Sequence, residues 1–108
     1  MTSEFRDEKL RESLMHLAAE FVLLNSNRTS LITVTNLALK DYGRSATVLF
    51  TVLPATKEHD ALDFLKRSRS DFREFVKLKL QVRLIPRFDF EIDLGEKNRQ
   101  KIDELSRS

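Results

Sequence analysis

One long amphipathic segment, Thr56–Arg83, limits what this chain can fold into more than any other stretch. Its apolar residues recur with the period of an α-helix on both sides of the tripeptide Ser68-Arg69-Ser70. Serine is a mediocre residue inside a helix because its hydroxyl competes for backbone hydrogen bonds. The sequence therefore predicts a long helix that is capped by Thr56 and kinked at Ser68, Arg69 and Ser70.

A helix and two strands are predicted before this segment, and a third strand after it. A first apolar stripe with helical spacing consists of Leu10, Leu14, Leu17, Phe21 and Leu24. It predicts a helix over Ser3–Leu24. Runs rich in β-branched residues predict strands over Leu31–Leu39 and Ala46–Leu53, joined by a turn in which Gly43 takes a positive φ. The third strand is predicted over Leu84–Ile92.

Alternation along the strands indicates which side chains enter the core. The predicted core face consists of Ala46, Val48, Phe50, Val52, Leu84, Phe88, Phe90 and Ile92. The opposite face of the second strand, expected to be partly solvated, consists of Thr47, Leu49, Thr51 and Leu53. Because Pro86 cannot donate a ladder hydrogen bond, the third strand is expected at an edge of the sheet.

The predicted order α-β-β-α(kinked)-β makes a single α+β domain. Two strands joined by a turn, followed by a helical crossover to a third strand, give a three-stranded sheet with the helices packed on one face. The domain is expected to span residues 1–94. Residues 95–108 are predicted to form a polar tail or a short helix supported by Ile102 and Leu105.

The distribution of charge is more informative than its total of +2. Residues 57–87 carry nine lysines and arginines against five acidic residues, whereas residues 88–108 carry four against six. A near-neutral protein with one basic face suits a specific polyanion site better than a general polycationic coat.

The inventory of reactive side chains argues against an enzyme. There is no cysteine, and His16 and His59 are isolated in the sequence without a metal-ligand spacing. Asp89, Glu91 and Asp93 alternate on one strand, where a solvated polar face is expected rather than a divalent-ion site. No glycine-rich phosphate loop and no apolar membrane span are evident, so we expect no cofactor, small-molecule substrate or membrane partner. A cytoplasmic location and a monomeric state are the expectations.

A row of cations follows the predicted long helix and offers a binding surface. Lys66, Ser70, Arg73 and Lys77 recur at i, i+4, i+7 and i+11. With Arg67, Arg69 and Arg83 nearby, this stripe is a candidate for contacts to RNA phosphates. The alternative is a solvated face whose cations pair with helix-spaced acids. The residues alone leave both interpretations open.

Four segments carry a family likeness: Ile32-Thr33-Val34-Thr35, Ala46-Thr47-Val48-Leu49-Phe50, Phe72-Arg73-Glu74-Phe75-Val76 with Leu80, and Val82-Arg83-Leu84-Ile85-Pro86-Arg87-Phe88-Asp89-Phe90 followed by Asp93. Together they resemble ribosome-binding factor A, a family of bacterial small-subunit assembly factors with a type II KH-like fold. The resemblance covers nearly the whole chain. In this family a small-residue kink, typically Ala-x-Gly, replaces the RNA-clamping GxxG loop of KH domains. Here Ser68-Arg69-Ser70 stands at that place without a glycine.

The resemblance implies a non-catalytic factor that binds the immature small subunit through its 16S rRNA, assists late rRNA processing and supports growth in the cold. It favours RNA contact by Lys66, Arg67, Arg69, Ser70, Arg73, Lys77 and Arg83. The mechanism we expect is conformational selection of an rRNA arrangement present before maturation. Two alternatives are a protein-interaction module that uses Leu49, Leu53 and the outer sheet face, and a generic single-stranded RNA binder.

Overall fold

A computed structural model of the protein describes the backbone of residues 3–107 and the side chains of residues 7–103 and 105. Residues 1 and 2 of the predicted domain 1–94, and residue 108 of the predicted tail 95–108, lie outside this range. The elements are α1 (Ser3–Asn25), β1 (Leu31–Lys40), β2 (Ser45–Leu53), α2 (Glu58–Arg67), α3 (Arg69–Lys79), β3 (Arg87–Ile92) and α4 (Leu94–Arg107). Within residues 3–107, no helix is long and apolar enough to cross a membrane.

The three strands form one sheet in the order β1-β2-β3. β1 and β2 are antiparallel neighbours, whereas β3 runs parallel to β2 and pairs Ser45 with Arg87 at one end and Phe50 with Ile92 at the other. A parallel pair needs a crossover, and α2 with α3 supplies it. The predicted α+β fold, the kinked crossover and the edge position of the third strand are confirmed.

A bulge in β1 changes which residues of that strand face the core. Ile32 and Val34 lie opposite Val52 and Phe50, but the register then shifts by one residue at Thr35. After the shift, Leu37 is the inward-facing residue, opposite Val48. The extra residue lets apolar positions of opposite parity share one face, and it leaves the Thr35 hydroxyl available for a bond outside the ladder.

Phenylalanines form the centre of the core between the sheet and the helices. Phe72 of α3 is fully buried, and its ring centroid lies 4.6 Å from that of Phe88, 5.2 Å from Phe21 and 5.6 Å from Phe90. These tilted and edge-on geometries are the favoured ones for aromatic pairs. The ring of Phe72 therefore joins α1, α3 and β3. The predicted inward positions of β2 are all buried: Ala46, Val48, Phe50 and Val52.

Two predicted boundaries around the long helix are wrong. A 3₁₀ turn, Ala55–Lys57, precedes α2, so Thr56 does not cap that helix and Lys57 occupies the cap position without a side-chain bond. At the other end, α3 stops at Lys79, and Leu80 is extended with φ −123° and ψ 119°. The chain must return along the sheet to place Arg87 beside Ser45, which a helix continuing to Arg83 would prevent.

The predicted start of the third strand is also wrong. β3 begins at Arg87, so Leu84 is not in the ladder and is 50% exposed. Pro86 is fully buried instead, and Ile85 packs against the core. Proline has no N–H for a ladder and holds the preceding residue extended, which places Ile85 and Pro86 inward just before the strand starts.

The C-terminal segment forms the helix that was predicted as one of two outcomes. Asp93 occupies its N-cap position: its Oδ1 accepts the N–H of Glu96 at 3.0 Å, and its carbonyl accepts the N–H of Lys97. Lys97 Nζ also lies 2.9 Å from Glu58 Oε1 of α2. Farther along, Ile102 and Leu105 are exposed, so they do not bury α4 against the body of the domain.

Candidate nucleic-acid interface

The helix break consists of one residue, Ser68. Its φ of −94° and ψ of 6° fall outside the helical region but within the range that any residue adopts. Ser68 Oγ donates to the carbonyl of Phe64 at 2.7 Å, and the Ser68 carbonyl accepts the N–H of Phe72. Arg69 and Ser70 are the first two residues of α3. The turn therefore needs no positive φ, which explains why it forms without the glycine typical of the family.

The break separates the cations that a straight helix would have aligned. Lys66 faces β3, where its Nζ donates to Asp89 Oδ1 at 2.7 Å and to Glu91 Oε1 at 2.8 Å. Arg69 Nη1 lies 3.4 Å from the same Asp89 oxygen, while its Nε donates to the carbonyl of Lys66. The candidate site thus contains its own carboxylates, and two of its predicted phosphate-binding residues are already engaged by them.

The ionisation of this cluster follows from its hydrogen bonds. Burial would raise the pKa of Asp89, but hydrogen bonds from Lys66 and from the N–H of Phe90 outweigh it and hold that pKa below its ordinary value. Burial likewise opposes the charge on Lys66, but its bonds to Asp89 and Glu91 raise the pKa of Lys66 above the ordinary value. Both groups are therefore charged at neutral pH, as an ion pair requires.

The remaining predicted residues differ in how strongly they are held. Arg73 Nη2 donates to the carbonyl of Ile85 at 3.4 Å, and Lys77 Nζ lies 3.7 Å from Glu74 on the same helix. Ser70 is exposed at the start of α3. Arg67 and Arg83 are exposed and form no ion pair with any residue whose side chain the structure describes. Of the predicted set, these two arginines are the most available to a ligand.

An open cavity adjoins Arg67 at the start of the crossover. Its volume is about 460 Å³, and it lies between the α1–β1 loop and α2. Lys57 and Arg67 line it together with Asp60 and Asp63. These charges balance, so the cavity does not extend the basic surface.

The strand carboxylates are partly exposed, with side-chain exposures of 39% for Asp89 and 49% for Glu91, but they are bonded rather than free. Asp89 and Glu91 hold Lys66, and Asp93 Oδ2 accepts the Thr35 hydroxyl at 2.6 Å. No group of three or more potential metal ligands occurs among the described residues. His59 lies 3.6 Å from Asp63 at the exposed start of α2.

The sequence analysis predicted neither the pairing of Lys66 with Asp89 and Glu91 nor the hydrogen bond between Thr35 and Asp93. The one available signal was the opposite charge of Lys66 and of two acids with strand spacing on a predicted edge strand, Asp89 and Glu91. Nothing in the sequence relates Thr35 to Asp93, because their contact depends on the bulge in β1 and on where β3 ends.

The bond from Thr35 makes the stability of the domain depend on pH. The Thr35 hydroxyl and the N–H of Glu96 hold the pKa of Asp93 below its ordinary value, so its charge stabilises the fold near neutrality. That stabilisation is lost as the pH falls through the folded pKa. We expect Thr35→Val to raise the pKa of Asp93, to lower the unfolding free energy at neutral pH by about 1 kcal/mol, and to start acid unfolding at a higher pH.

The measurement is a titration of the Asp93 carboxyl carbon by NMR, together with unfolding at several pH values. Thr33→Val is the matched control, because Thr33 is an exposed residue of the same strand and has no bond to Asp93. An unchanged pKa of Asp93 in Thr35→Val would show that the hydroxyl does not stabilise the charged form.

The element order, the parallel β2–β3 pair and the helix break at Ser68 define a KH-like domain of type II. The fold is similar to the crystal structure of ribosome-binding factor A from Thermus thermophilus, with a TM-score of 0.71, 22% identity, and coverage of 79% of this chain and 92% of that one. It is also similar to a model of the Thermus thermophilus factor fitted into a cryo-electron-microscopy map of a 30S complex (TM-score 0.68, 23% identity, coverage of 77% and 90%).

The sequence comparison extends this likeness from fold to family. The family model described as ribosome-binding factor A matches residues 6–106. Ribosome-binding factor A of Thermodesulfovibrio yellowstonii is 29% identical over 102 residues, covering 93% of this chain and 86% of the relative. The chain belongs to the ribosome-binding factor A family.

Proposed function

We propose that this protein is a non-catalytic assembly factor that binds the immature small ribosomal subunit through its rRNA and assists late rRNA processing. The observation that carries the proposal is the family match over residues 6–106. The fitted complex of the Thermus thermophilus factor with the 30S subunit supplies the partner by analogy. The proposal includes a cytoplasmic location, a monomeric state and a role in the cold, and it assigns residues 1–94 as the binding domain with 95–108 as its appendage.

The proposed contact is made by cations on the crossover. Arg67 and Arg83 are exposed and not paired within the described part of the chain, and Lys77 is held only at 3.7 Å. These side chains are free to reach phosphates, which gives affinity that depends strongly on salt and little on base sequence. Ser70 and Arg73 lie with Lys77 on α3. Lys66 and Arg69 remain paired with the carboxylates of β3.

The proposed mechanism is selection of one rRNA arrangement. A rigid domain that touches several phosphates at fixed positions binds the arrangement in which those phosphates are correctly spaced. When maturation changes that spacing, the contacts are lost together and the protein is released. No bond in the rRNA needs to be broken by the protein itself, and His16 and His59 have no role in the proposal.

A protein partner is the second candidate, because one end of the sheet is apolar and exposed. Leu31 and Leu53 lie opposite each other in the β1–β2 register and are 62% and 54% exposed. Leu49, by contrast, is half-buried. A generic single-stranded RNA binder is less favoured, because the crossover lacks the GxxG sequence with which KH domains clamp RNA.

Co-sedimentation with small subunits separates these candidates. We expect binding by the unaltered protein to fall steeply between about 50 mM and about 200 mM salt. Changing Arg67→Ala with Arg83→Ala is expected to weaken binding roughly tenfold and to reduce the salt slope by about 1.5, since two phosphate contacts are lost. Leu53→Asp tests the protein-partner alternative on the same particles.

Immature and mature subunits should be compared, with tighter binding to the immature form. If the arginine variant binds normally while Leu53→Asp abolishes binding, the crossover is not the rRNA-binding surface. If the unaltered protein fails to sediment with either form, the proposed function is wrong.

A further inference from the structure

The tip of the β1–β2 hairpin has an unusual backbone. Asp41, Tyr42 and Gly43 take φ values of 53°, 56° and 84°, so three consecutive residues lie in the left-handed region. Glycine tolerates this conformation, but a bulky side chain such as tyrosine is strained there. No packing offsets the strain at Tyr42, because its side chain is fully exposed at 101%. Strain of this kind, held without a structural gain, is common at ligand-binding positions.

Three cations lie at the end of the sheet that carries this turn. Lys40 pairs with Ser45 in the β1–β2 register, and Ser45 pairs with Arg87 in the β2–β3 register. Partners in register share a face of the sheet, so Lys40 and Arg87 point to the same outer side, with Cα atoms about 10 Å apart. Arg44 lies between them, and its carbonyl accepts the N–H of Arg87 at 2.9 Å.

These three cations differ from those on the crossover because no carboxylate holds them. Lys40, Arg44 and Arg87 are exposed and take part in no ion pair with the side chains described at 7–103 and 105. The acid within the tip is Asp41, which leaves the cluster with a net charge of +2. An exposed aromatic ring among free cations is the combination with which proteins bind single-stranded nucleic acids, by base stacking and phosphate contact.

We infer that the hairpin tip is a binding site for an unpaired RNA nucleotide: Tyr42 stacks on the base, and Lys40, Arg44 and Arg87 contact the flanking phosphates. This inference rests on the proposed function and adds to it a second contact at the end of the sheet, where Arg87 lies two residues before the Asp89 that Lys66 and Arg69 contact. The crossover recognises the backbone of the rRNA, and the tip recognises a base that is not paired. A segment that becomes paired during maturation would lose this second contact.

Tyr42 also serves as an NMR probe of RNA binding at the tip, because the chain contains one tyrosine and no tryptophan. The ring protons of Tyr42 are therefore assigned without ambiguity in an NMR titration. A single-stranded RNA of about ten nucleotides is expected to shift these protons upfield, because a stacked base shields them. A duplex RNA of the same length has no free base face and is expected to leave them unshifted.

Two substitutions at position 42 separate the ring from the backbone. Asparagine tolerates left-handed φ values, so Tyr42→Asn keeps the turn and removes the ring. We expect it to weaken single-strand binding about tenfold, whereas Tyr42→Phe keeps the ring and stays within about twofold. Changing Lys40→Ala with Arg87→Ala is expected to reduce the salt slope by about 1.4, while Arg28→Ala with Lys101→Ala removes the same charges elsewhere and leaves binding unchanged.

The outcomes distinguish this inference from the proposed function. Normal binding by Tyr42→Asn, equal shifts with single-stranded and duplex RNA, or equal losses in the Asn and Phe variants would each overturn the tip site. If those results come with normal co-sedimentation with small subunits, the proposed function stands without it. If co-sedimentation fails but single-stranded RNA shifts Tyr42, the tip binds RNA and the assignment to the ribosome is wrong.

Discussion

Replacing Phe72 by alanine is expected to lower the free energy of unfolding by about 3–5 kcal/mol. The side chain is fully buried, and its ring contacts Phe21, Phe88 and Phe90. Alanine would leave a cavity at the point where α1, α3 and β3 meet, and a core packed at crystal-like density does not collapse to fill it. Because a domain of this size is stable by about 5–15 kcal/mol, a large part of its stability would be lost.

The test is equilibrium unfolding in urea, followed by circular dichroism. Leu78→Ala is the control on the same helix, since Leu78 is 86% exposed and its truncation is expected to change stability by less than about 0.5 kcal/mol. A loss at Phe72 no larger than the loss at Leu78 would mean that the aromatic cluster does not hold the helices on the sheet.

The second prediction is a gain of RNA binding when the strand carboxylates are neutralised. Asp89→Asn with Glu91→Gln removes both negative charges that hold Lys66, one of which Arg69 also approaches. Asparagine keeps the oxygen that accepts the N–H of Phe90, so the local backbone bond is preserved. With two cations released, small-subunit binding at low salt is expected to tighten roughly tenfold and the salt slope to steepen by about 1.5.

A matched control removes the same two charges from other places. Glu12 and Asp103 are exposed and pair with no cation that the structure describes, so Glu12→Gln with Asp103→Asn gives the same net charge without releasing Lys66. Both variants gain long-range attraction to RNA, and the difference between them measures the released cations. Equal affinities in the two variants would show that Lys66 and Arg69 do not face the rRNA.

The fold was largely predictable because each element carries its own periodic signal. The apolar stripe of α1 and the alternation in β2 are local patterns, so they can be recognised from the sequence alone. The bulge at Thr35 left a trace as well, since Ile32 and Val34 differ in parity from Leu37 and Leu39. The errors lie at boundaries set by long-range geometry, such as the end of α3 at Lys79, where β3 has to start beside β2.

The candidate site was less predictable because the spacing of charged residues along the sequence does not indicate which of them pair with each other. The stripe through Lys66, Arg73 and Lys77 assumed a straight helix, and one residue of non-helical backbone at Ser68 turns Lys66 towards β3. Whether Lys66 meets a carboxylate or solvent depends on acids that lie 23 and 25 residues farther along the chain. The sequence therefore predicts which cations exist but not which of them are free.

The backbone at Ser68 also bears on how relatives of this protein can be found. A sequence pattern that requires glycine at the helix break would reject this chain, although the break forms with φ −94° and ψ 6°. Space limits this position more than backbone freedom does, because Ser68 is only 8% exposed and its hydroxyl returns to the carbonyl of Phe64. A search pattern built on a small, buried residue between two amphipathic helices would retain such chains, and glycine would be one permitted solution among several.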